Sequence, residues 1–290
     1  MDYDGPLSYD TIHLGSNELK PYLFEEWTAS YCIWVGCIEA GYDGVLGLAP
    51  PWFWFREGLP NVLASMQSQK VLKSDVFSLR LPHSMEETGE LLLGGANPTL
   101  YEGEPTWLPL AEVNDTSFAG TWAVSASAVH FDTPKPLHLD LSNTTVAILD
   151  TARPYILLPW SFGRKLLSAI GAEEGPAWFY NIPCSRRAYL PHLTFTLGGH
   201  SFSISAFEYT VETDMFPVGL VCLVMFQPMN WFNLPQQDNI LLGSGFLKKF
   251  YSVWDFGEQR VGCESCSRYS ARIHRLKLPS SSPRVWRVRD

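Results

Sequence analysis

The chain is expected to fold as an all-β protein, mainly strands with a few short helices. Three observations carry this. Turn formers are frequent, with 22 Gly and 21 Pro among 290 residues, and they cut the sequence into short runs. Those runs are rich in strand-forming residues, aromatics alone making up 14% of the chain. Only two longer stretches hold apolar residues at helical spacing.

In chain order, Thr11-Ile12-His13-Leu14 is a short strand stopped by Gly15, and Tyr31 to Cys37 is a second strand. Tyr42-Asp43-Gly44-Val45-Leu46-Gly47-Leu48 is an apolar run broken by glycine. Leu59, Val62, Leu63 and Met66 share one face of a helix. Val76 to Leu81 alternates as a strand does, and further strands are expected at Glu90–Leu93, Trp107–Leu110 and Trp122–Val124. Val146-Ala147-Ile148-Leu149 is an apolar strand that ends in Asp150. Phe162, Leu166, Leu167 and Ile170 form the buried stripe of a second helix, with Gly171 as its stop. Leu193 to Leu197 alternates up to Gly198-Gly199, a hairpin turn, with Phe202–Ile204 as the return strand. Ile240 to Leu247 is a strand leading into a helical turn, and Phe250 to Asp255 alternates again. Beyond Cys266 the pattern dissolves into a basic tail rich in Ser and Pro, expected to lack regular structure.

Length and composition bound the function. With 46% hydrophobic and 18% charged residues, 290 residues suffice for one large domain or two lobes with a substantial core. The net charge is −9, but the segment after Cys266 holds seven basic residues against Asp290. The body before it carries 14 basic and 29 acidic side chains, a net charge of −15. Such a body repels nucleic acid and anionic membrane surfaces. No stretch is long and apolar enough to span a bilayer, and the acidic start Met1-Asp2-Tyr3-Asp4-Gly5 is not a signal peptide. Asn114 and Asn143 head glycosylation sequons. Six cysteines fit a few bridges in a secreted protein. The histidines fall in no metal-ligand spacing, and no phosphate-cradling loop or Ser-His-Asp signature occurs. Neither a metal nor a cofactor is expected.

Asp150 is the candidate for chemistry. A buried strand that delivers a carboxylate into a tight turn, Asp150-Thr151-Ala152-Arg153, is how aspartic peptidases present each acid of their pair. Further blocks in order support the same resemblance: Tyr42 to Leu48, Gly89-Glu90-Leu91-Leu92-Leu93-Gly94-Gly95 followed by Tyr101-Glu102-Gly103, Trp107 to Leu110 with Trp122-Ala123-Val124, Leu190-Pro191-His192-Leu193-Thr194-Phe195, and Ile240 to Asp255. Over roughly residues 5–265 the chain resembles the pepsin-like aspartic peptidases.

That resemblance implies a bilobal acid-protease fold. It implies a partial N-terminal lobe and inter-lobe strands over residues 1–115, a complete C-terminal lobe over 116–266, and the basic tail over 267–290. It implies peptide-bond hydrolysis by an Asp dyad, a peptide or protein in the inter-lobe cleft, a monomer, and a secreted or vacuolar location. It implies a Cys184–Cys222 disulfide. For Cys32, Cys37, Cys263 and Cys266 pairing stays open; the Cys263-x-x-Cys266 pair reads as a surface bridge or free thiols.

The chain also departs from the family pattern. Asp-Thr-Gly is the usual turn; here Ala152 replaces the glycine, Arg153 replaces a hydroxyl residue, and Pro154 follows. No Asp-Thr-Gly or Asp-Ser-Gly occurs in the sequence, and the strand Leu7 to Ile12 resembles one that follows the first acid and the flap. Asp43 matches a structural position. Asp150, Thr151 and Ala152 are thus the remaining candidate catalytic turn. The expectation is an inactive, truncated family member; the alternatives are a non-catalytic peptide-binding protein and an enzyme borrowing an acid from a second copy. Arg153 either turns inward to pair with Asp150 or points to solvent.

Overall fold

A computed structural model describes residues 7–25, 46–53, 60–83, 87–113, 120–133, 135–175, 179–215, 219–229, 239–265 and 286–289. The expected strand at 31–37, the Asp43 turn, Leu59, Asn114, Cys32, Cys37, Cys266 and the 115/116 boundary lie outside these residues.

Strands dominate, as expected, and among the described residues they form four sheets. A hairpin pairs Leu7–Leu14 with Asn17–Glu25. A six-stranded sheet runs, in spatial order, Trp286–Arg289, Gly89–Leu93, Val76–Arg80, Phe250–Asp255, Arg260–Ser265 and Thr106–Pro109. It therefore joins strands more than 150 residues apart in sequence, such as Ser78 opposite Val253. The edge strand Trp286–Arg289, parallel to Gly89–Leu92, departs from the expectation that 267–290 lacks regular structure. Its alternating Trp-Arg-Val-Arg pattern supplies the strand period within the basic composition.

The largest sheet places, in order, His200–Ile204, Leu193–Leu197, Ala123–Phe131, Val146–Leu149, Ile240–Leu242, Ile156–Leu158 and Phe226–Pro228, with Leu137–Asp140 also pairing along Ala123–Phe131. The hairpin Leu193–Leu197/His200–Ile204 turns on Gly198 and Gly199, with φ of 54° and 81°. Two successive positive φ values match the twist of the flanking strands, and glycine adopts them at little cost. A small fourth sheet runs Glu173–Glu174, Tyr180–Ile182, Gly219–Val224 and Thr210–Met215.

Both expected helices form. Val62–Gln69 starts at Asn61, whose Oδ1 accepts the Ala64 N–H while its Nδ2 donates to the carbonyls of Pro50 and Phe53. Trp160–Ile170 buries Phe162, Leu166, Leu167 and Ile170 and ends at Gly171 in the left-handed conformation. A third helix, Ser244–Leu247, is a single turn.

One continuous apolar cluster runs from Leu19 to Cys263. Its aromatic centre links two sheets. Phe77 and Trp254 are cross-strand partners in the six-stranded sheet and stack with centroids 5.6 Å apart. Trp122, which leads into the strand Ala123–Phe131 of the largest sheet, meets both edge-on at 5.8 and 5.2 Å. Its indole N–H donates to the Leu48 carbonyl at 2.7 Å. A chain of hydrogen bonds runs beside this aromatic centre. The Asn97 N–H donates to the Tyr251 hydroxyl at 2.7 Å, Tyr251 bonds Ser78 Oγ at 2.7 Å, and Ser78 Oγ donates to the Gly95 carbonyl.

Cys184 and Cys222 are bonded, as the family resemblance implies, tying the 3₁₀ turn Cys184–Tyr189 to the strand Gly219–Val224 across 38 residues. Cys263 is a buried free thiol rather than half of a surface bridge, and burial raises its pKa to about 12. Closing a loop of this size removes unfolded-state entropy. Replacing Cys184 and Cys222 together by Ser is therefore expected to lower unfolding free energy by about 4 kcal/mol in a urea titration.

Candidate functional site

The strand Val146–Leu149 is buried along its whole length, which suits an all-apolar strand inside a sheet. Ala123–Ser125 flanks it antiparallel. Ile240–Leu242 flanks it parallel, Ala147 facing Ile240 and Leu149 facing Leu242. The register continues past the strand end, where the Asp150 N–H donates to the Leu242 carbonyl at 3.2 Å. Asp150 and Gly243 thus leave two adjacent parallel strands side by side.

The chain after Asp150 folds back against the short helix. The carbonyls of Tyr155, Arg153 and Pro154 accept the N–H groups of Gly243, Ser244 and Gly245 at 3.1, 2.8 and 2.9 Å. A helix start leaves several N–H groups without intrahelical partners, and here three consecutive loop carbonyls take them. Pro154 suits this position because the only backbone group it offers, its carbonyl, is the one used. Gly243 has no space for a side chain: a Cβ there would lie 2.3 Å from both the Arg153 and Tyr155 oxygens.

Within the turn, Asp150 Oδ1 accepts the Ala152 N–H at 2.9 Å. Arg153 turns inward, and its Nε lies 3.3 Å from Asp150 Oδ2. Of the two orientations open from sequence, the structure takes the ion pair. Both carboxylate oxygens therefore face donors. The side chains are 29% and 43% exposed for Asp150 and Arg153, so solvent screens their attraction. Thr151 and Ala152 are exposed at the tip of the turn. Tyr155 is half-buried beside Phe179, with its hydroxyl pKa raised by burial. Among the described residues, no second carboxylate hydrogen-bonds Asp150.

Asn143 is exposed in the turn before Val146, open to a glycan. Cys184, Cys222 and Glu212 lie close together, but the two sulfurs are spent on their bridge and offer no thiolate to a metal. The structure also joins two histidines that sequence spacing separated. His130 and His138 face each other across antiparallel strands. The repeated pattern His130-Phe131-Asp132 and His138-Leu139-Asp140 is the sequence signal that marks them.

A strand-borne acid in a turn beside two parallel strands is the arrangement that the acid-protease resemblance implies. The chain belongs to the eukaryotic aspartyl protease family, whose model matches residues 2–266. It is 32% identical over 263 residues to vacuolar protease A of Aspergillus fumigatus, covering 90% of this chain and 61% of that protein. It is 29% identical to renin of Rattus norvegicus, covering 87% and 63%, and 27% identical to gastricsin of the same species, covering 78% and 54%. The chain thus spans about three-fifths of the length of vacuolar protease A and of renin.

The Gly243 contact sets the position of the acidic turn, because backbone oxygens cannot swing away as a side chain can. Gly243→Ala is expected to cost ~3 kcal/mol or more in urea unfolding. Gly95→Ala, where an added Cβ meets nothing within 4 Å, is expected to stay within about 0.5 kcal/mol of wild type.

Proposed function

We propose that these 290 residues form an aspartyl-protease-family protein that holds peptides and does not, on its own, cut them. The observation that carries this reading is the Asp150 carboxylate, with one oxygen on the Ala152 N–H and the other beside Arg153. Hydrolysis by this family takes two carboxyls that share one proton. The ionised one activates water; the protonated one polarises the peptide carbonyl and returns a proton to the leaving amine. With its oxygens on the Ala152 N–H and beside Arg153, and no second carboxyl hydrogen-bonded to it among the described residues, Asp150 lacks the proton-sharing partner that this reaction needs. The turn also carries Ala152 and Arg153 where the family pattern has a glycine and a hydroxyl residue.

The partner in this reading is an extended peptide or unfolded protein in the cleft, bound by a monomer. The family membership, the Cys184–Cys222 bridge, the exposed Asn143 sequon and the names of the vacuolar relatives support a place in the secretory pathway or vacuole. None of the described helices is long and apolar enough to cross a membrane.

A second reading is favoured by coverage: relatives are longer, so Asp150 can be the second acid of a complete dyad in a longer parent chain.

The expected outcome for the purified chain is no pepstatin-sensitive cleavage of denatured protein at acid pH, and measurable peptide affinity that survives Asp150→Ala. Cleavage that Asp150→Asn abolishes would overturn the proposal. Loss of all peptide affinity in Asp150→Ala would do the same for the binding role.

A further inference from the structure

We propose that His130 and His138 form a surface site for one divalent transition-metal ion, Zn²⁺, Cu²⁺ or Ni²⁺, separate from the acidic turn. His130 lies on the strand Ala123–Phe131 and His138 on Leu137–Asp140, and the antiparallel register sets them directly opposite each other. Cross-strand partners on one face have Cβ atoms about 5 Å apart, so both side chains stand over the same patch of sheet. The ring centroids are 5.6 Å apart, with ring planes inclined at 58°.

That spacing suits a shared ion. A metal–nitrogen bond of about 2.1 Å, added to the distance of about 1.1 Å from ring nitrogen to ring centre, puts each centroid about 3.2 Å from the metal. Centroids 5.6 Å apart then subtend about 120° at the ion, near the angles of four-coordinate zinc.

The carboxylates complete the case. His130 Nε2 lies 2.8 Å from Asp132 Oδ1, and His138 Nε2 lies 2.8 Å from Asp140 Oδ1. An ionised carboxylate only accepts, so each Nε2 carries the proton and each Nδ1 keeps its lone pair. A carboxylate behind a ligating imidazole fixes the tautomer and raises its basicity. Here two such units sit on neighbouring strands, each built from the same His-x-Asp pattern. The exposed position, with His130 37% and His138 48% accessible, leaves the remaining coordination places to water. An ion held there would also pin the short strand Leu137–Asp140 to its neighbour.

The test is calorimetric titration of the purified, tag-free chain with Zn²⁺ at neutral pH, repeated with Cu²⁺ under electron paramagnetic resonance. One ion per chain is expected, with a Cu²⁺ spectrum showing two imidazole nitrogens. His130→Gln and His138→Gln are each expected to weaken binding at least tenfold, and Asp132→Asn or Asp140→Asn by about tenfold. These positions are exposed, and an unchanged circular dichroism spectrum verifies that the variants fold. Absence of binding by wild type, or affinity kept within twofold in the His130→Gln/His138→Gln double variant, would overturn the proposal. Unaltered affinity in both Asp variants would remove the carboxylates from it.

Discussion

The candidate site depends on one backbone junction. Three successive carbonyls, those of Arg153, Pro154 and Tyr155, cap the start of the helix Ser244–Leu247, while the parallel strands Val146–Leu149 and Ile240–Leu242 run side by side beneath. This junction is polar and made of backbone atoms, with Gly243 and Gly245 buried and Pro154 exposed. Disruption is costly at the two buried glycines, whose N–H groups would be left without a partner away from water. Gly243 is what allows the two chains to approach so closely. From the same junction Asp150 is aimed, because its N–H is fixed on the Leu242 carbonyl and its own side chain closes the turn on Ala152.

Rigid positioning and catalytic tuning are distinct properties here. The backbone that presents Asp150 is hydrogen-bonded on both sides and closely packed at Gly243. What differs is the chemistry at the tip. Where the family pattern has a hydroxyl able to hydrogen-bond a carboxylate without neutralising it, this chain sets a cation. The guanidinium offers charge as well as donors, and its backbone carbonyl is already tied to Ser244, which keeps the side chain within reach of Asp150. A second carboxyl placed near Asp150 would find one oxygen on the Ala152 N–H and the other beside Arg153.

Much of this was legible in the sequence, for reasons that are local. The strand ending at Asp150, the helix closed by Gly171 and the Gly198-Gly199 hairpin each carry their own periodicity and stop signals. Block order showed the family, and with it the Cys184–Cys222 bridge. What escaped is non-local. Nothing in the run Ile240–Leu242 says that it lies parallel to Ala147–Leu149, since both are uniformly apolar and fit either direction. The direction of Arg153 depends on the shape of the turn rather than on spacing. Trp286–Arg289 was hidden by its basic composition, although its alternation is that of a strand. His130 and His138 meet only because a particular register sets them opposite, and a one-residue slip would send them to different faces.

The central claim is that Arg153 and Asp150 act on each other. A double-mutant cycle with Asp150→Asn, Arg153→Ala and the combined variant, followed by urea unfolding at neutral pH, measures this directly. The account predicts a coupling of about 0.5 kcal/mol or more, shrinking in high salt as expected of a partly exposed ion pair. Strict additivity of the two substitutions, unaffected by salt, would contradict it.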